Sequence, residues 1–148
     1  MKHIYLLNGP NLNMLGLREP DIYGKTTLAE LEHQLIRHAN AKEKATLVHA
    51  QYNNEAQMIE AIHAIFHEPK AVGLIINPGG WTHTSVALRD ALAMLSIPIV
   101  EVHISNIHAR EDFRQQSYVS GVATGVICGL GLSGYHLALD FLLSKINP

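Results

Sequence analysis

The chain has 148 residues, 47% of them hydrophobic and 16% charged, a composition that fits one globular domain with a sizeable core and excludes a disordered segment. A formal net charge of −2 gives a nucleic-acid partner no electrostatic support. The single cysteine, Cys128, lies in an apolar run and excludes an internal disulfide, and the ten histidines show no zinc-ligand spacing, His103 and His108 being five apart with no Cys cluster beside them.

Residues 3–7 read as a strand, broken at Asn8-Gly9-Pro10, so that Asn11 sits on a turn just past a strand end. Gly16 and Gly24 then bracket a segment suited to a hinged lid, which carries Arg18 and Tyr23. A phenol titrates near pH ~10, and a neighbouring arginine favours its anion; a shift of about two to three units, worth ~3–4 kcal/mol, makes a tyrosine a usable base. Thr26-Thr27-Leu28-Ala29-Glu30 is a capped helix start, and Leu28, Leu31, Leu35 and Ala39 form one apolar stripe in a helix running to about Lys42.

Residues 45–51 form a second strand. Asn53-Asn54-Glu55 caps a helix with Met58, Ile59, Ile62, Ile65 and Phe66 facing inward. Residues 72–77 (VGLIIN) are a continuous apolar strand of the kind buried on both faces. A third helix over 85–95, a fourth strand over 98–103, a loop over 104–114, a short strand over 124–128 and a helix over 133–146 complete the chain, with no internal repeat or linker. The alternation predicts a single α/β domain over residues 1–148, a flavodoxin-like doubly wound sheet of about five parallel strands. Ligands on such sheets bind beyond the carboxyl ends of the strands, where Asn8–Asn11, Gln51–Glu55, Asn77–His83 and Glu101–Ser105 fall.

Three further stretches carry chemistry. Glu101 and His103 share one face of a strand, and a carboxylate beside an imidazole favours the protonated ring, which suits a general acid. Asn77-Pro78-Gly79-Gly80-Trp81-Thr82-His83-Thr84-Ser85 is a turn with exposed backbone N–H groups, followed by a helix whose positive end would point at the pocket. Arg110 and Arg114, four apart, would share a face of a short helix and bind a carboxylate; equally, they fit a surface helix neutralised by Glu111 and Asp112. The run Gly129-Leu130-Gly131-Leu132-Ser133-Gly134 matches a dinucleotide fingerprint, but no acid-bearing strand follows it, so these glycines read as a tight turn and close helix–sheet packing.

Together, LNGPNLNMLGLREPDIYG, NPGGWTHTS, EVHISN and HAREDFR resemble the motifs of type II 3-dehydroquinate dehydratase, and the resemblance covers nearly the whole chain. It implies dehydration of 3-dehydroquinate to 3-dehydroshikimate by anti elimination through an enolate. That is the third step of the shikimate pathway, and the same step also serves quinate catabolism. The implied roles are Tyr23 as base, Arg18 and Arg110 as its activators, Asn11 at the enolate, and His103 as proton donor beside Glu101. Asn77, His83, Ile104, Ser105 and Arg114 would contact substrate, and Asp90 would reach a neighbouring subunit's site. From sequence alone Asp90 reads instead as a solvated helical acid beside Arg89. The family uses no metal or organic cofactor and forms trimers grouped into dodecamers. With no secretory leader and no apolar run near the ~18 residues that span a bilayer, a cytoplasmic homo-oligomer is expected, with no membrane or nucleic-acid partner.

Two positions depart from the family pattern near the presumed pocket: Tyr52, where Ser is usual, and Trp81. The unrelated dehydratase class uses a lysine imine; only Lys25 lies close to these clusters, and it makes a poor candidate. An FMN carrier would need a Ser/Thr-rich loop after the first strand, where Asn-Leu-Asn-Met stands. A phospho-receiver would need an Asp where Asn77 ends the third strand. A non-catalytic binding module would not require Tyr23, Arg18 and His103 together.

Overall fold

The computed structural model describes residues 1–17 and 20–147, and for residues 22 and 23 the backbone only. Five strands, β1 (Lys2–Asn8), β2 (Ala45–Gln51), β3 (Ala71–Asn77), β4 (Ile99–His103) and β5 (Gly125–Cys128), form one parallel sheet in the order β2-β1-β3-β4-β5. This is the flavodoxin-like order, with the switch in strand direction of travel between β1 and β3. The central strands are the apolar ones: β3 is buried from Gly73 to Asn77 and β4 along its whole length, while β2 and β5 form the edges.

The helices are α1 (Pro20–Tyr23), α2 (Leu28–Lys42), α3 (Glu55–Phe66), α4 (Val86–Ala93) and α5 (Ser133–Ser144). α2 and α5 cover one face, where Leu31, Leu35, Tyr135, Leu139 and Leu142 pack on Ile4, Leu6 and Ile75. α3 and α4 cover the other, where Met58, Ile62, Leu88 and Leu92 pack on Leu7, Leu74 and Ile76. Each fully buried Leu or Ile contributes about 1.5–3 kcal/mol relative to exposure. Strand periodicity sorts the faces: on β3, Ile75 turns to the first core and Leu74 and Ile76 to the second.

The helix starts follow the capping rules. The Thr27, Asn54 and Ser85 side chains accept from the N–H groups of Glu30, Gln57 and Leu88. Two expectations for α3 fail. Phe66 is exposed and Ile59 only half-buried against the core, because at about 100° per residue both fall at the flank of the stripe that Met58, Ile62 and Ile65 bury. The glycine-rich run after β5 behaves as a turn with close packing. Gly129 and Gly131 have φ of 86° and 60°, and a Cβ on Gly134 would meet Ile127 at 3.2 Å and Val102 at 3.4 Å.

Candidate active site

The carboxyl ends of β1, β3 and β4 surround a cleft of about 200 Å³ at the switch point of the sheet. Its walls come from three loops. Pro10, Asn11, Leu12, Met14 and Leu15 follow β1; Asn77, Gly79, Gly80 and His83 follow β3; His103, Ile104, Ser105, Ile107, Arg110 and Arg114 follow β4. The loop after β1 brings mostly apolar side chains, and the loops after β3 and β4 bring two imidazoles and two guanidinium groups.

His103 ends β4, and Glu101 lies two residues earlier on the same face. Both are buried, Glu101 completely. Glu101 Oε2 lies 2.5 Å from His103 Nε2. A carboxylate only accepts, so Nε2 carries a proton and Nδ1 is the atom free of partners among the described residues. Three hydroxyls complete the clamp. Thr82 and Ser117 donate to Oε2 at 3.0 and 2.9 Å, and Ser120 donates to Oε1 at 2.7 Å. Burial pushes the Glu101 carboxyl up, but the hydrogen bonds from His103 and Ser120, the imidazole charge and the Ser117 bond outweigh it, and the group is held below the usual carboxylate range.

The turn after β1 is held from β2. Asn11 adopts a left-handed conformation with φ 70°, and its N–H donates to Asn53 Oδ1 at 2.9 Å. Gln51 Nε2 donates to that same oxygen and to the Gly9 carbonyl, each at 3.0 Å. Gly9 packs so closely on the next turn that a Cβ there would lie 2.6 Å from the Pro78 carbonyl oxygen. His83 gives its Nδ1 proton to the Gln116 carbonyl at 2.8 Å, and its ring stacks beside His103 with centroids 6.5 Å apart.

Arg110 and Arg114 both reach the cleft, but not from one helix. The loop folds as two short 3-10 turns, Ile107–Ala109 and Asp112–Arg114, with extended backbone at Arg110 between them. Arg110 donates to Ser105 Oγ at 3.3 Å, and Arg114 pairs with Glu111 at 2.5 Å while lying over the Phe113 ring. The amino end of α4 does not supply the pocket either, because a 3-10 turn over Gly79–His83 intervenes and the Ser85 side chain caps the helix. Tyr52 and Trp81 pack against the core under α3 and α4, and neither lines the cleft, so the two departures from the family pattern leave its walls unchanged.

Asn11, Asn77, His83, His103, Ile104, Ser105, Arg110 and Arg114 are thus brought together, with Glu101 directly beneath His103. Asp90 stands exposed on α4, outside the cleft of its own chain. Arg18 and the Tyr23 side chain lie outside the described residues; the Tyr23 backbone ends α1. Among the described residues no group of three or more His, Cys, Asp and Glu side chains is arranged to hold a metal. Sequence reasoning missed Ser117 and Ser120, which lie in an irregular segment with no periodicity to mark them. It also missed Tyr135, although a tyrosine on the buried stripe of α5 must find a partner for its hydroxyl.

The model of the family described as dehydroquinase class II matches residues 2–143. The chain belongs to the class II dehydroquinase family. A 3-dehydroquinate dehydratase of Actinobacillus pleuropneumoniae serotype 5b is 56% identical over 147 residues, which is 99% of this chain and 94% of that protein. A catabolic 3-dehydroquinase of Pyricularia oryzae is 49% identical, covering 97% of this chain and 91% of that one. The crystal structure of a type II dehydroquinase from Propionibacterium acnes superposes with a TM-score of 0.92 at 45% identity, covering 98% of both chains. Within a class II dehydroquinase frame, the Glu101–His103 clamp and the two arginines come from β4 and the loop after it, and Asn11 from the loop after β1.

Proposed function

We propose that this class II dehydroquinase dehydrates 3-dehydroquinate to 3-dehydroshikimate by anti elimination through an enolate. The observation that carries the reading is His103, set in the cleft wall with one ring nitrogen committed to a buried, ionised Glu101 and the other free of protein partners among the described residues. That is the arrangement of a proton donor with a fixed direction.

Tyr23, as phenolate beside Arg18, removes the proton alpha to the ketone, and the electron pair of that C–H bond moves to the carbonyl oxygen. Asn11 orients the resulting enolate. The carbonyl then re-forms, the C–OH bond breaks, and the hydroxyl takes the His103 proton and leaves as water. Arg110 adds positive potential to the phenolate, and Arg114 holds the substrate carboxylate. Asn77, His83, Ile104 and Ser105 bind the remaining polar groups of the ring, and Asp90 acts on the site of a neighbouring subunit. The chain works in the cytoplasm as a dodecamer, a tetramer of trimers. Exposed Val126, Leu130 and Leu137, on β5, the turn after it and α5, are apolar surface that a neighbouring subunit would cover.

The test is an ultraviolet assay, since the product's conjugated enone absorbs where the substrate does not. Turnover by the wild type that survives borohydride treatment with substrate, and falls about 10²–10⁴-fold in Tyr23→Phe, supports the enolate route with a tyrosine base. Binding without turnover supports a non-catalytic module. The catabolic role is favoured by one observation, the name of the Pyricularia oryzae relative. Rescue of a dehydroquinase-deficient strain on medium without aromatic amino acids supports the biosynthetic role, and rescue confined to growth on quinate supports the catabolic one.

A further inference from the structure

Three polar side chains from three elements meet in the core at the head of the sheet. Asn8 ends β1 and Asn77 ends β3, and the parallel register sets them side by side. Tyr135, in the first turn of α5, is fully buried above them. Its hydroxyl lies 2.7 Å from Asn8 Oδ1 and 2.7 Å from Asn77 Nδ2.

The directions of these bonds follow from what each group can do. The Gly79 N–H only donates, so the end of the Asn77 carboxamide that it meets at 3.0 Å is Oδ1. The other end, Nδ2, only donates, so the Tyr135 hydroxyl accepts from it and gives its own proton to Asn8. Burial holds the Tyr135 phenol well above its ordinary value, against the Asn77 hydrogen bond that lowers it and with the Glu32 charge that raises it, so the proton stays in place. A carboxamide has two N–H donors and two carbonyl lone pairs. In Asn77, Tyr135 takes one donor and Gly79 one lone pair. One of each remains, on a residue that lines the cleft.

We propose that Tyr135 is a positioning residue of the active site: with Gly79 it grips the Asn77 carboxamide at both ends, so that Asn77 offers one donor and one acceptor together to a ligand hydroxyl. A hydroxyl both donates and accepts, which matches such a pair and suits a polyhydroxy ring. Without Tyr135 the carboxamide is held by Gly79 alone and swings about that bond. The inference rests on the reading of the cleft as the dehydratase site.

The experiment is a double-mutant cycle of Tyr135→Phe and Asn77→Ala, with kcat and KM measured on 3-dehydroquinate. Tyr135→Phe is expected to lower kcat/KM by about five- to tenfold, the worth of one hydrogen bond, in the native background. In the Asn77→Ala background the further loss is expected to stay below about twofold, because the group that Tyr135 positions is gone. Equal losses in both backgrounds would mark a purely structural role and overturn the proposal, as would no loss in the native background. A crystal structure of Tyr135→Phe gives a readout independent of turnover. Asn77 displaced or split between conformers supports the proposal, and an unmoved Asn77 overturns it. An inert wild type would sink the reaction assignment, and the crystal structure then decides the positioning role by itself. Should Tyr135→Phe fail to fold because Asn8 is left buried without its partner, Tyr135→Phe with Asn8→Leu removes both ends of that bond and still frees Asn77, and the same two readouts apply.

Discussion

Glu101→Gln should lower kcat about 5- to 30-fold and leave the fold intact. The amide has the shape of the carboxylate, and the donors around it dictate how it settles. His103, Thr82 and Ser117 converge on Oε2, whereas Oε1 receives Ser120 alone. The amide carbonyl takes the crowded position, and its nitrogen faces Ser120, whose hydroxyl turns to accept. Every partner keeps a bond and only the charge is lost. A hydrogen bond to a charged group is worth about 1.5–3 kcal/mol and a neutral one about 0.5–1.5, so the exchange removes ~1–2 kcal/mol from the imidazolium that the elimination needs. At 1.36 kcal/mol per decade this gives the stated loss. The assay is steady-state turnover of 3-dehydroquinate near neutral pH, with a thermal melt on the same protein. A kcat within twofold of wild type would refute the idea that the Glu101 charge sustains the proton donor. A loss of about 10⁴-fold or more would refute it in the other direction, by making Glu101 itself the group that transfers the proton.

Two further predictions follow from the same geometry. Ser120→Ala removes the one donor to Glu101 Oε1 and should raise the Glu101 pKa. The folded value is depressed, so its stabilisation is present above the unfolded value of about 4.3 and is lost as pH falls through the folded value. In Ser120→Ala that loss starts from the same unfolded value but is smaller and complete at a higher pH, so the difference in Tm between variant and wild type narrows towards strong acid; an unchanged gap across pH 3–7 would rule out the donor role. Gly9→Ala places a Cβ 2.6 Å from the Pro78 oxygen and 2.8 Å from its carbonyl carbon, both backbone atoms that cannot rotate away. The turns after β1 and β3 must part, which costs about 1–3 kcal/mol and several degrees of Tm. A wild-type Tm in this variant would show that the two turns yield freely.

The sequence by itself determined the sheet and most of the cleft. Alternating strand and helix patterns, a continuous apolar β3 and two capped helix starts are local signals, read from residues within a turn or a strand length of each other. The period of two was enough to put Glu101 and His103 on one face, and the polar residues just past the strands fell where a parallel sheet binds ligands. Tertiary structure decided what depends on separations that no period reports. Ser117 and Ser120 reach Glu101 across 16 and 19 residues, and Tyr135 reaches Asn8 across 127. It also replaced one helical face by two 3-10 turns with Arg110 between them and Arg114 on the second, and packed Tyr52 and Trp81 against the core. The physical reason is the same in each case. Local pattern fixes an element and its inward face, but a buried carboxylate or hydroxyl must take its partners from whatever the packed neighbours bring, and only the assembled core sets which residues those are.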